Sequence, residues 1–450
     1  MKVPRLHHLL FFVGITCYGQ NINLPKVPNT SSIGNYNSIN TNQRNYNQQT
    51  NYNNNQTLIN SQRSFSVYEQ DRKQVEIEER RKQQANQLIQ EAIQAAENAK
   101  RFELPNHEHK EKAKYYKKAF NELIKMDVDS FSLKKAVFIT ENAFYEEKEN
   151  YDEFDKIIKQ TGSFLREKMQ ELNYDTNSNL AKNLILFQFF SDTLEIKSKD
   201  LKHLPIQYDF NDFWGRKDWS KMFVTKLIRT GKGQCHSLPL LYLMLAKEID
   251  AEAYLSTSPN HFYIKFQDEK KKWYNVELTN HMFTADSFVS QNGYITSEAL
   301  LNGLYMGELS NKGLMSQIIG DLAMGYTRKF GYDTFAKKMI DKAEKLNPNN
   351  IGIIQLNSNY MTIKFEHVAH QLGINPRDKN DLQNIRFYPF AVDLLNQTNA
   401  LYNKIDDLGH KEMPAEQYES WLSSLKEKKQ EQNHNELKKR IKLKVNKIKD

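Results

Sequence analysis

From residue 21 to about 63 the chain is dominated by Asn, Gln, Ser, Thr and Tyr, and only beyond Val67 do apolar positions recur at helical spacing. From there Leu88, Ile89, Ile93 and Ala96 stand among Glu, Lys, Gln and Ala, which predicts a long, partly solvated helix with coiled-coil character, ended by Pro105. Helices are expected over residues 112–126, 132–148 and 151–172. In the last, Phe154, Ile157, Ile158, Phe164, Leu165 and Met169 fall near one face. Residues 179–195 are apolar enough to be buried on every side. The pattern changes between residues 209 and 279. Helical signals over 221–230 and 237–249 flank Gly231-Lys232-Gly233, and β-type runs follow at 253–256, 261–266 and 273–279, the last two joined by a charged QDEKKK turn. Beyond residue 297 the helical period returns.

The expected fold class is α+β: a mostly helical chain with an embedded core in which a Cys-bearing helix packs on a small antiparallel sheet. Six segments are expected: 1–19, 20–65, 66–200 (N-terminal helical region), 201–296 (core), 297–425 (C-terminal helical region) and 426–450 (charged tail). Residues 1–19 read as an export signal, with Lys2 and Arg5 before the apolar stretch from Leu9 to Ile15 and Cys17-Tyr18-Gly19 as a cleavage site. The expected location is thus periplasmic or secreted, with lipid attachment at Cys17 as the alternative. Residues 20–65 have too few apolar side chains to repay ordering entropy and should be disordered. Residues 332–350, with Ala336, Ala343 and Leu346 before Asn347-Pro348, resemble the second helix of a tetratricopeptide repeat.

Composition narrows the function classes. With 17 Gly and 11 Pro in 450 residues, a collagen-like or turn-dominated repeat is excluded, and 2 Cys exclude a disulfide scaffold. A mean hydropathy of -0.75 and the lack of a long apolar run argue against an integral membrane span. The net charge of +8 arises from 63 basic and 55 acidic residues whose signs interleave, so no nucleic-acid face is expected.

Candidate chemistry concentrates in Thr230-Gly231-Lys232-Gly233-Gln234-Cys235-His236-Ser237. A cysteine opening a helix has its thiolate stabilised by unpaired N–H groups and the positive helix end. Glycines before it allow a tight turn that leaves backbone N–H groups beside the sulfur. His261, at the head of a strand, is the expected base, and Glu277, on the next strand, the acceptor that orients it. If QDEKKK turns the hairpin, the two meet across the strand pair, giving a nucleophile–base–orienter triad. His281 is an alternative base, and Asn275 or Asn280 an alternative orienter. His236 is expected to be a surface bystander. A zinc site of Cys235, His236 and His261 fails on ligand count and spacing, and no cofactor is called for.

The order GQCHSLPLLYLMLA, then SPNHFYI, then WYNVE resembles the transglutaminase-like superfamily of papain-type cysteine enzymes, in the bacterial branch where such a core accompanies tetratricopeptide-like helices. The resemblance covers about residues 219–279. It implies Cys235 as nucleophile, His261 as base and Glu277 as third member, where the family usually has Asp, and it suggests Gln234 or Trp219 as support for an oxyanion. The implied activity is acyl transfer on an amide of a protein or peptide, with hydrolysis ahead of crosslinking, and the export signal points to substrates of the cell envelope. The alternative is an inactive scaffold that binds protein partners through its helical regions.

Overall fold

A computed structural model describes residues 59–290 and 293–431, which fall into two units, 59–103 and 104–431. The first is one helix, α1 (Ile59–Arg101), whose described side chains are exposed. At 1.5 Å per residue it extends roughly 65 Å. It begins inside the stretch expected to be unstructured: polar residues with moderate helix propensity extend a helix already nucleated by the Glu- and Ala-rich run that follows. It stops before Pro105, whose ring would collide with the preceding turn. The expected export signal and most of the expected disordered segment lie outside the described residues, as does the tail beyond 431.

The larger unit opens with α2 (Ala113–Leu123), α3 (Leu133–Phe144), α4 (Tyr151–Glu171) and α5 (Asn179–Ser191). Asn150 and Ser178 cap α4 and α5 by accepting backbone N–H groups of their first turns. Short strands follow: β1 (Leu194–Ile196) pairs antiparallel with β2 (Leu201–His203), and β3 (Gln207–Tyr208) pairs parallel with β4 (Lys232–Gly233), which lies after α6 (Val224–Thr230). These strands were not anticipated, because runs of two or three residues carry no readable period.

Helix α7 (Ser237–Glu248) is the centre of this unit. Its side chains from Ser237 to Ala246 are all buried, as expected of a helix apolar on every face. α4, α5 and α6 pack on it. So do the first two strands of the sheet β5 (Tyr254–Ser258), β6 (His261–Gln267), β7 (Trp273–Glu277) and β8 (Met282–Thr284), an antiparallel meander in sequence order. The β5–β6 turn is Pro259-Asn260, with Asn260 at a φ of 60°, and Ser258 pairs with His261 across it. Within this sheet, β8 is the strand missing from the expected set. Mostly helical with small sheets, the described chain is α+β.

The rest is α8 (Asp286–Ser290), α9 (Ser297–Leu301), α10 (Asn311–Phe330), α11 (Thr334–Leu346), α12 (Ile351–Gln371), α13 (Lys379–Leu382), α14 (Pro389–Asp407) and α15 (Ala415–Glu431). α10 packs on α2 and α3, so helices from the two ends of this unit share one apolar layer, with Tyr116 against Tyr326 and Phe120 against Phe335. Ala336 and Ala343 are fully buried where α11 meets α10, and Ser316 Oγ donates to the Ala343 carbonyl at 2.8 Å. Among the described residues no helix is long and apolar enough to cross a membrane.

One buried carboxylate ties α3 to the segment leading to Cys235. Glu141 accepts the Val224 N–H at 2.7 Å and the Thr225 N–H at 2.9 Å, so it supplies the cap that Phe223 cannot give to α6. Burial pushes its carboxyl up to about 7 against the pull of those N–H groups. The folded state therefore holds this proton more tightly than the unfolded chain, and stability should fall as pH rises from about 4.5 to about 7. Glu141→Ala should remove that dependence and, by stranding two buried donors, lower stability by about 2–4 kcal/mol. Urea denaturation at several pH values checks both; an unchanged midpoint would contradict the capping role.

Candidate functional site

Two glycines shape the turn that carries Cys235. Gly231 ends α6 at a φ of 66°, in the left-handed region where a side chain would be strained. At Gly233 a Cβ would stand 2.8 Å from Ser237 Oγ and 3.0 Å from Leu227 Cδ1, so a larger residue would have to displace these side chains. Pairing of Tyr208 with Gly233 brings Tyr208 alongside the turn. The Leu238 N–H reaches the Gln234 carbonyl at 3.0 Å, so Cys235 lies inside the first hydrogen-bonded turn leading into α7. Cys235 is half-buried and lines a cavity of about 150 Å³.

His261 is buried at the head of β6. Its pairing with β7 (Ile264↔Val276), continued to the strand end, makes Glu277 a diagonal neighbour on the same face, a spacing that long side chains bridge. His261 Nε2 lies 2.7 Å from Glu277 Oε2, and Glu277 Oε1 accepts the Thr279 N–H at 2.8 Å. The other ring nitrogen, Nδ1, faces the Tyr418 hydroxyl at 3.4 Å, and that hydroxyl is 3.6 Å from Cys235 Sγ. Trp421, also on α15, packs edge-on against the imidazole with ring centroids 4.9 Å apart.

Charge balance follows from these contacts. Burial alone would push the Cys235 thiol up; the His261 imidazolium, with Tyr418 and His236, outweighs it and holds the thiol below its ordinary value. For His261, burial favours the neutral ring, but the Glu277 carboxylate and the Cys235 sulfur outweigh it and raise the ring to about 10. Glu277, which burial would raise, is held below the usual carboxylate range by His261 and the Thr279 N–H. A thiolate paired with an imidazolium, with a carboxylate behind the ring, is chemically equipped to attack a carbonyl carbon and to protonate a leaving amine.

The fold thus brings Cys235, His261 and Glu277 together, whereas the other expected residues diverge. Gln234, expected to support an oxyanion, does not line the cavity; its Nε2 donates to the Asp209 carbonyl at 2.8 Å and its backbone N–H to Ser237 Oγ at 3.0 Å. Trp219 does line it, with a buried Nε1 that has no hydrogen-bond partner, and its ring lies under the Arg328 guanidinium at 4.3 Å. Trp214 lines it in the same way, also with an unpartnered Nε1. Asn275 turns to Asp286 at 2.8 Å and Asn280 to the Leu425 carbonyl at 3.3 Å, so neither orients His261. His281 is buried but does not line the cavity.

Trp214, Trp421 and three further residues at the site were not assigned a role there by the sequence. Tyr418 lies 183 positions from Cys235, and nothing local marks it. The Tyr208 hydroxyl is buried without a partner at hydrogen-bonding geometry; burial, then the charges on Cys235 and Glu277, raise it well above its ordinary value. His236 is no surface bystander, because Asp321 on α10 and the Met222 carbonyl hold it in the cavity wall. Among the described residues no group of three His, Cys, Asp or Glu side chains is placed to hold a metal ion. Comparison of the chain with family models, with curated proteins and with solved structures finds no match.

Proposed function

We propose that this chain is an exported, transglutaminase-like cysteine enzyme that transfers an acyl group from an amide of a protein or peptide, with water as the preferred acceptor. The observation that carries the reading is the line from Glu277 through His261 toward Cys235, with the 2.7 Å carboxylate–imidazole contact behind a half-buried sulfur beside a cavity. In the first half-reaction the Cys235 thiolate adds to the amide carbonyl, the C–N bond breaks, and the His261 proton leaves with the amine. In the second, His261 takes a proton from water, the hydroxide displaces the sulfur, and a carboxylic acid departs. An amine in place of water would give crosslinking by the same steps. Glu277 in place of the family's usual Asp still reaches the ring, so the longer side chain is no obstacle to orienting it.

A second reading has one observation in its favour. The Tyr418 hydroxyl stands within 3.6 Å of the sulfur and 3.4 Å of the ring nitrogen, as expected if the core were a closed scaffold for protein partners. Incubation with an activated acyl ester, followed by mass spectrometry of the intact protein and its peptides, separates the two. The enzyme reading expects an acyl group on Cys235 that disappears over time in water and is absent in Cys235→Ser. Absence of acylation in the wild type and in Tyr418→Ala alike would leave the scaffold reading.

A further inference from the structure

His236 follows Cys235 directly, and its two ring nitrogens have both found acceptors. Nδ1 lies 2.9 Å from the Met222 carbonyl, and Nε2 lies 2.9 Å from Asp321 Oδ2. A carbonyl oxygen has no proton to give, so Nδ1 must donate. The remaining proton, between Nε2 and the carboxylate, belongs on the ring, since a carboxylate is the weaker base by about two to three pH units. The other carboxylate oxygen, Oδ1, accepts from Gln317 Nε2 at 2.9 Å, which fixes the carboxylate against the ring. The proton inventory therefore makes His236 an imidazolium in the cavity wall, beside the sulfur.

We infer that His236, fixed as a cation by Asp321 of α10, is a positioning residue that stabilises the Cys235 thiolate, so that α10 sets the ionisation of the nucleophile. The inference rests on the acyl-transfer reading and deepens it. The imidazolium is joined to Cys235 through the chain, and Asp321 holds it from α10 in the wall of the same cavity. The groups facing His236 are Asp321 from α10, Glu141 from α3 and Cys235 from the turn before α7. Burial would neutralise the ring, but Asp321, the Met222 carbonyl and Cys235 outweigh it and raise it to about 9. Because Gln317 also faces the Asn350 amide at 3.4 Å, the start of α12 is wired to the same pair.

The test is the pH dependence of Cys235 ionisation, read as the thiolate ultraviolet absorbance of each protein minus that of its Cys235→Ser counterpart, which needs no reagent to enter the cavity. Asp321→Asn keeps the shape and removes the charge; His236→Gln removes the cation. Each is expected to move the acid limb of thiolate formation upward by about 0.5–1 pH unit, a three- to tenfold loss of thiolate on that limb. His261→Asn should move it further. A curve unmoved by Asp321→Asn and His236→Gln, but moved by His261→Asn, overturns the inference and leaves the acyl-transfer reading standing. A wild-type thiol that titrates in the ordinary range and ignores His261→Asn overturns both.

Discussion

Replacing His261 by Asn should slow alkylation of Cys235 by iodoacetamide at pH 6–7 by at least about tenfold and lower any acyl-transfer turnover by about 10²–10⁴-fold. The His261 imidazolium is the largest contribution opposing burial at the sulfur; without it, only Tyr418 and His236 oppose desolvation and the thiol moves up toward its ordinary range. The sign of the pH profile follows. Cys235 has a lowered value in the fold, so the thiolate is lost as pH falls through that value. His261 is raised to about 10, so the proton for the leaving amine is lost as pH rises through about 10. Activity should rise on the acid side with Cys235 and fall on the alkaline side with His261. Glu277→Gln should draw the alkaline limb downward, because the Glu277 carboxylate is the largest contribution opposing burial at the ring. An alkylation rate identical in wild type and His261→Asn across this range would rule out activation of the sulfur.

Trimming Tyr418 to Ala should raise the alkylation rate of Cys235 in the folded protein by about tenfold, at a cost of about 3–5 kcal/mol in stability for an aromatic side chain removed from a closed site. Its ring is buried against Trp214, with centroids 4.8 Å apart, and its hydroxyl meets both the sulfur and the imidazole. Two effects oppose each other, since the hydroxyl also helps to hold the thiol down. His261 contributes more than Tyr418 to that lowering, so the gain in access should win. Tyr418→Phe separates them: the ring stays, only the donor is lost, and the rate at pH 6 should drop. A rate that rises with Phe as much as with Ala would mean that the hydroxyl, not the ring, is the obstruction. Denaturant melts of the two variants provide the stability comparison.

Much of the central architecture was legible because its signals are local. The apolar run after Cys235 is long enough to read as a buried helix, and the short aromatic-rich runs around Phe262 and Tyr274, bounded by turn residues, read as strands. The charged turn between β6 and β7 carried the register, and with it the diagonal approach of His261 to Glu277. Gln234 was misread because its position beside Cys235 says nothing about which way its amide turns; pairing of β3 with β4 brings Asp209 within reach and takes the donor. His236 was misread for a similar reason, since its partner Asp321 comes from a helix 85 positions away.

By itself the amino-acid sequence determined the main helices, three strands of the sheet, and which thiol, imidazole and carboxylate stand on neighbouring elements, since these follow from periodicity and turn chemistry over a few residues. Only tertiary structure decided what surrounds the sulfur and the two imidazoles: Tyr418 at the sulfur and Trp421 at the His261 ring, both from α15, Tyr208 from a two-residue strand, and Asp321 from α10 at His236. Those contacts join positions far apart in the chain. They depend on how whole helices pack, and no local pattern of residues encodes that.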